Sequence, residues 1–213
     1  MLLAERGELM YLSRIFLDTR RAETAKAMVC LSKFHGAVES CFKGERQHAL
    51  WRIDHSTGKT QLLIVSKDKP DLTNIFSQFG LDGTVPASLL YDTFLNAIAE
   101  GKLYRFRIKV NPTVKVKGKR VPMVLCGRAL HGDAEGWLCK RLQERGFCDV
   151  SAKMVEHRSV SFQSKGSRIE FLAVTFEGIV RISNDVEARK LMTCGLGHEK
   201  AFGCGLMTLI PLT

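Results

Sequence analysis

Several common signatures are missing from this 213-residue chain. No apolar run approaches the ~20 residues that a membrane-spanning helix needs, so a membrane partner is not expected. The opening stretch, "MLLAERGELM", has neither the basic start nor the long apolar core of a secretory signal, so a cytoplasmic protein is expected. No C-x-x-C and no H-x-x-x-H occurs. The seven cysteines are odd in number and scattered, as for reduced thiols rather than a disulfide framework. Cys194, His198 and Cys204 lie close in sequence, but a fourth ligand is missing and the spacing is wrong for zinc. No metal and no cofactor are therefore expected. A Walker loop, a G-x-S-x-G elbow, a kinase motif set and an obvious carboxylate pair are all absent. Acidic residues are missing from the whole stretch 102–120.

What the chain does have is positive charge. Its formal net charge is +10, which favours polyanionic partners, nucleic acid first. Hydrophobic residues make up 45%, enough for a real core in one large domain or two small ones. "MYLSRIFL" (10–17) alternates as a strand. A helix is expected over Ala22 to Glu39, with Ala27, Leu31, Phe34 and Val38 as its apolar stripe. "HALWRID" and "QLLIVSK" read as strands around a turn at Gly58, and "DLTNIFSQF" as a short helix. "ASLLYDTFLNAIAEG" fits helix or extended chain equally, and "KLYRFRIKV" (102–110) is a strand. This order is β-α-β-β-α-β, a ferredoxin-like unit over 1–112, with Pro112 and the basic residues after it as a linker.

The pattern recurs over 113–213. "VPMVLCG" is a candidate strand, and "DAEGWLCKRLQERGF" a helix stopped at Gly146. "CDVSAKMVEH" and "SRIEFLAVTFEGIVRI" are strands around the basic turn "QSKGSR". "NDVEARKLMTC" is a helix capped by Asn184 or Asp185 and ended by Gly195, and "GLMTLIPL" is the last strand. The expected fold class is α+β, two tandem ferredoxin-like domains.

Three basic groups stand out. Arg105, Arg107 and Lys109 share one face of their strand, and Lys115, Lys117, Lys119 and Arg120 continue the run. A row of like charges repels itself unless it is solvated or an anion lies over it, and both readings stay open. Lys140 and Arg141 fall on the next helix; Arg158, Lys165 and Arg168 flank the hairpin turn, where a basic tip can lie along RNA phosphates. "GLGHEKAFGCGL" (195–206) adds a fourth feature. Gly195 and Gly197 permit an anion nest, Lys200 adds charge, and Gly203 and Gly205 keep side chains away as the strand begins. A tight helix-to-strand connection explains one or two of these glycines. His35 lies beside the apolar stripe with Ser32 one turn earlier; taken alone it is an ordinary helix histidine, and His198 in the glycine loop ranks at least equal.

"MYLSRIFL", "WRID", "YRFRIKVNPT…GKRVP", "WLCKRL" and "GLGHEKAFGCGLMTL" occur in the order seen in the CasE family of CRISPR repeat-processing endoribonucleases, part of the RAMP superfamily. The resemblance runs from Met10 to the end of the chain. It implies two ferredoxin-like domains and metal-independent cleavage of CRISPR precursor RNA at the base of the repeat hairpin. The products would carry a 2′,3′-cyclic phosphate and a 5′-hydroxyl, and the enzyme would stay on the guide RNA with other type I-E Cascade subunits. It also places the family's catalytic histidine at His35, in "SKFHGAV". Imidazole titrates near neutral pH and can serve as acid or base. The chain departs from the family at Ser32, where members often carry tyrosine, and at Gly36 and Ser40, which can be basic in relatives. Ser32 and Lys200 are thus possible supports for the transition state, and His198 the fallback catalyst. Lys140 and Arg141 match a basic pair of relatives, and Arg158, Lys165 and Arg168 the RNA-gripping hairpin. Two alternatives are kept: a catalytically silent hairpin-binding subunit, which the missing tyrosine favours, and a structural subunit that coats guide RNA.

Overall fold

The computed structural model describes residues 9–44, 47–56, 58–123, 130–164 and 166–212. The first sheet has four antiparallel strands, β1 (Tyr11–Leu17), β2 (Leu50–Ser56), β3 (Lys59–Ser66) and β4 (Ala87–Leu90), in the order β2-β3-β1-β4. Helices α1 (Ala22–Val29) and α2 (Ser32–Glu39) follow β1, and α3 (Thr73–Phe79) follows β3. The short α4 (Asp92–Asn96) leads to the second sheet, whose strands are β5 (Leu103–Val110), β8 (Phe147–Ser164), β9 (Ser167–Ile182) and β10 (Met207–Pro211), in the order β10-β5-β9-β8. Between β5 and β8 come a separate hairpin, β6 (Thr113–Val116) with β7 (Lys119–Pro122), and α5 (Leu130–Gln143); α6 (Asp185–Cys194) precedes β10. Numbered within its own unit, each sheet has the ferredoxin-like strand order, so the expected tandem architecture is present.

Side-chain alternation explains both cores. Ile15, Leu62, Ile64, Trp51 and Ile53 point from one face of the first sheet onto Ala27, Leu31, Phe34 and Val38, the stripe legible in the sequence. Phe34 is fully buried, with its ring centroid 6.0 Å from Trp51 and 4.8 Å from Phe79. Truncating such a side chain costs about 3–5 kcal/mol. In the second unit, Tyr104, Phe106, Ile108 and Val110 of β5 pack with Leu138 and Leu142 of α5 and with Leu191 and Met192 of α6. Leu12, Leu50, Leu63 and Val65, on the other face of the first sheet, belong to this same core. The two units therefore share a buried seam.

Four expectations need correction. The strand over 102–110 does not complete the first unit; β5 pairs with β9 and β10, and the completing strand is β4, within the stretch that had fitted helix or strand. The expected division at 112/113 thus falls inside the second unit's run of elements. The presumed linker after Pro112 is the β6–β7 hairpin, anchored by the Trp137 indole N–H donating to the Thr113 carbonyl at 3.1 Å. Of "VPMVLCG", Val121 and Pro122 belong to this hairpin, and 124–127 lie outside the described residues. The helix over 22–39 is two helices broken at Cys30, whose backbone (φ −112°, ψ 85°) is not helical.

The hairpin of β8 and β9 is much longer than a ferredoxin-like sheet requires. Its strands have 18 and 16 residues, with irregularities between Cys148 and Ser151 and between Met154 and Glu156. The near half completes the second sheet. The far half crosses to the first unit, where Val160, Phe162 and Phe171 join the core beside α1 and α2.

Candidate functional site

Three parts of the chain meet around α2 and Phe202. The first is α2, which carries the half-buried His35 one turn beyond Ser32. Ser32 Oγ lies 3.1 Å from Cys30 Sγ, at the break between the helices. The second is the far end of the β8–β9 hairpin, where the Gln163 carbonyl accepts from the Cys30 thiol at 3.8 Å. The third is the glycine loop. Its short 3-10 helix (Lys200–Phe202) sets the Phe202 ring edge-on to the imidazole, with centroids 6.3 Å apart and planes at 70°. The hairpin's Phe162 and Phe171 hold the same ring at 5.1 and 6.1 Å.

The loop's glycines serve packing more than anion binding. A Cβ on Gly203 would sit 2.8 Å from the Trp51 ring, and one on Gly195 2.8 Å from Leu50 Cδ2. Both also have positive φ, so only glycine lets the loop lie flat on β2. Gly205 closes the loop: its N–H donates to the Lys109 carbonyl at 2.7 Å, and its own carbonyl accepts from Leu196 N at 3.0 Å. Gly197 alone faces open space. Of the two glycines expected to form a nest, Gly195 is packed on Leu50 and Gly197 is exposed. The Lys200 ammonium donates to the Cys194 carbonyl at 2.6 Å, at the exposed end of α6. His198 is exposed on the loop.

The basic face of β5 is committed to the seam between the sheets. Arg52, 1% exposed, donates to both oxygens of Asp54 at 2.7 Å. Across the seam it reaches the carbonyls of Arg107 (2.7 Å) and Leu206 (2.8 Å) and the Thr208 hydroxyl (2.9 Å). All five guanidinium donors are used. Arg107 pairs with Asp54 at 3.2 Å and with Glu177. Burial alone would raise the Asp54 carboxyl, but the Arg52 hydrogen bonds and the charges of Arg52, Arg107 and Lys109 outweigh it and hold the group below the usual carboxylate range. The Lys109 ammonium donates to the Ile53 carbonyl at 3.0 Å, and burial pushes its pKa down. Of the three cations, Arg107 is thus paired with Asp54 and Glu177, Lys109 with the Ile53 carbonyl, and Arg105 is exposed.

A cleft lined by Phe202 has an apolar wall of Met28, Leu31, Val160 and Phe202 and a polar wall that includes His55, Lys109, Glu156 and Arg158; His35 does not line it. Burial, then the Lys109 charge, pushes the His55 imidazole down, and its Nδ1 lies 3.1 Å from Thr60 Oγ1. Arg158 is exposed on the hairpin; Arg168 is exposed and paired with Glu170 at 2.7 Å; Lys165 lies outside the described residues. Lys140 is exposed, and Arg141 pairs with Glu144 at 3.0 Å. Lys115 and Lys117 are exposed on the β6–β7 hairpin, while the side chains of Lys119 and Arg120 lie outside those described. Among the described residues no group of three or more His, Cys, Asp or Glu could hold a metal ion. No helix among them is long and apolar enough to cross a membrane.

Sequence reasoning missed Phe202, although a lone aromatic among four glycines was the available signal. It also missed the Arg52–Asp54 pair, which "WRID" shows only as ordinary alternation.

The sequence model of the family described as CRISPR associated protein matches residues 10–211, nearly the whole chain. The chain belongs to the CRISPR associated protein family. It is homologous to the CRISPR-associated endoribonuclease Cse3 of Thermus thermophilus, 26% identical over 193 residues, covering 82% of this chain and 85% of that protein. The Cascade subunit CasE of Escherichia coli K12 is 29% identical over 115 residues, half of this chain and 57% of that one. Thermus thermophilus Cse3 bound to an RNA representing a pre-cleavage complex has the same fold, with a TM-score of 0.79 at 21% identity over 95% of this chain and all of that one. Cas6e of Escherichia coli K-12 gives 0.63 at 22% identity, over 95% of this chain and all of that one. In this CRISPR associated protein, then, the conjunction of α2, hairpin and glycine loop is built on the fold of a protein solved with RNA.

Proposed function

We propose that this protein is a metal-independent endoribonuclease that cuts CRISPR precursor RNA at the base of the repeat hairpin and stays with the product as a Cascade subunit. Support comes from the near full-length homology to a protein named as a CRISPR endoribonuclease, together with a formal net charge of +10, which suits an RNA partner. The observation that carries the reading is the packing of the glycine loop's Phe202 on the half-buried His35, with the hairpin's Phe162 packed behind it; both segments come from more than 100 residues away.

In the reaction, the ribose 2′-oxygen attacks the adjacent phosphorus as its proton leaves, and the P–O5′ bond breaks as the 5′-oxygen gains a proton. His35 serves one of these two transfers, each worth about 10²–10⁴ in rate. Ser32 is too short to act as a phenol would, and Cys30 shares its hydroxyl. Charge to stabilise the phosphorane falls to arginines that are not locked in the seam; Arg158, exposed at the cleft that Phe202 lines, is the best placed. Arg158, Arg168, Lys140 and Arg141 then hold the RNA stem by its phosphates, with Lys165 added from the turn.

Ser32 also favours a second reading, a hairpin-binding subunit that does not cut. Labelled repeat RNA incubated in EDTA separates the two. Cyclic-phosphate product that disappears in His35→Ala supports the enzyme. Tight binding without product in the wild-type protein supports the silent subunit, and cleavage unchanged in His35→Ala moves the catalyst, with His198 next.

A further inference from the structure

We infer that Phe202 is the positioning residue of this site: it fixes the His35 ring and couples it to the RNA-gripping hairpin. The inference rests on the reading of His35 given above. His35 sits on a helix of only eight residues that begins just after the break at Cys30, so the helix alone holds the ring loosely. A lateral contact helps such an imidazole keep one orientation. One contact that the fold supplies is the Phe202 ring, edge to face and within the 4.5–7 Å range in which aromatic pairs attract.

Phe202 is itself held on several sides. Phe162 and Phe171, one from each strand of the hairpin, flank it. Its N–H donates to the Glu199 carbonyl at 2.9 Å, and the next residue, Gly203, is pressed on Trp51. The ring is thus a wedge between the hairpin and α2. A shift of the hairpin as its arginines take up RNA reaches the imidazole through Phe202, and a second tie runs from the Gln163 carbonyl to the Cys30 thiol at the head of the helix. This also accounts for the loop's composition: glycines let it lie on Leu50 and Trp51, and the one large side chain at its tip is the part that touches His35.

Misplacing a reacting group by about 1 Å can cost on the order of 10² in rate while binding is untouched. The test uses Phe202→Leu, which keeps most of the volume between Phe162 and Phe171, with Phe202→Met as a second variant. Single-turnover cleavage of repeat RNA is measured beside the Kd for the same RNA carrying a 2′-deoxy sugar at the cut site. Relaxation of the His35 ring, labelled with ¹³C at Cε1, reports its mobility. The expected result is a rate lowered about tenfold or more, a Kd within about twofold of wild type and a more mobile ring. A rate within about twofold of wild type in either variant, while His35→Ala is inactive, overturns this inference alone. So does a rate loss matched by an equal loss of RNA affinity, since Phe202 would then act on binding. Full activity in His35→Ala overturns the assignment of His35 and this inference with it.

Discussion

Replacing Arg52 by methionine should loosen the two halves of the molecule from each other. Methionine fills much of the volume but offers no donors. Asp54 would then keep the 3.2 Å contact from Arg107, the Leu206 carbonyl would lose the Arg52 donor, and the Thr208 hydroxyl and Arg107 carbonyl would keep their mutual 3.4 Å contact but lose Arg52. Removing one member of a buried pair costs about 3–5 kcal/mol, because the other is left desolvated. In a chain of this size each kcal/mol moves Tm by about 2–4 °C, so a drop of roughly 6–20 °C is expected. Acid sensitivity should change as well. Folding lowers the Asp54 pKa, so its contribution is fully present above the unfolded value of about 3.9 and is lost as pH falls through the folded value. Without Arg52, burial is less offset and the carboxyl pKa rises, so the acid limb of the stability curve begins at higher pH. Urea unfolding followed by tryptophan fluorescence, with Trp51 adjoining the site, measures both effects. A loss below about 1 kcal/mol with an unmoved acid limb would show that the pair does not bind the sheets together.

The β5 cations and the hairpin cations should separate in their salt dependence. Arg158→Ala or Lys140→Ala should lower the slope of log Kd against log salt by about one for each phosphate contact removed, while Arg107→Ala should leave the slope alone and lower Tm. Equal slope losses in all three would return β5 to the RNA surface. Gly203→Ala combines φ of 81° with a clash at 2.8 Å on Trp51, and should cost about 2–4 kcal/mol, against about 1–2 for Gly197→Ala, which is strained but open; equal melting temperatures would refute the packing account. Burial pushes the Cys204 thiol up to about 12 and Cys41 up to about 11, so iodoacetamide at pH 8 should label exposed Cys194 and spare both, and peptide mapping that finds prompt labelling of Cys204 would contradict its burial.

Local patterns were legible in the sequence, and partners were not. The alternation of 103–110 identifies a strand and which residues share a face, but period two says nothing about which sheet the strand joins. Only the pairing of Arg107 with Glu177 on β9 and Thr208 on β10 settles that. The stripe from Ala27 to Val38 is a true core face, yet no proline or glycine marks the break at Cys30 inside it. The loop after α6 was visible from its glycines, but the reason for them is Leu50 and Trp51, about 145 residues earlier in the chain. His35 was singled out through family resemblance, because nothing local distinguishes it from any half-buried helix histidine.

The side-chain pairing of the basic strand has one physical reason, which bears on any protein of two stacked sheets. Polar residues at alternate positions of a strand normally mark the solvent face. Here Arg52 and Asp54 on β2, and Arg107 and Lys109 on β5, occupy such positions, yet Arg52 and Asp54 are buried and Arg107 and Lys109 partly so. The polar face of each sheet is turned toward the other, so charges that look like a surface are paired across a seam. With those four assigned to the seam, the exposed cations include Arg105, Lys115 and Lys117 as well as those of the β8–β9 hairpin and α5, and the hairpin's far end is also the part that packs on Phe202. Binding and chemistry then depend on the same pair of strands. That is why the Phe202 variants must be read by rate and affinity together.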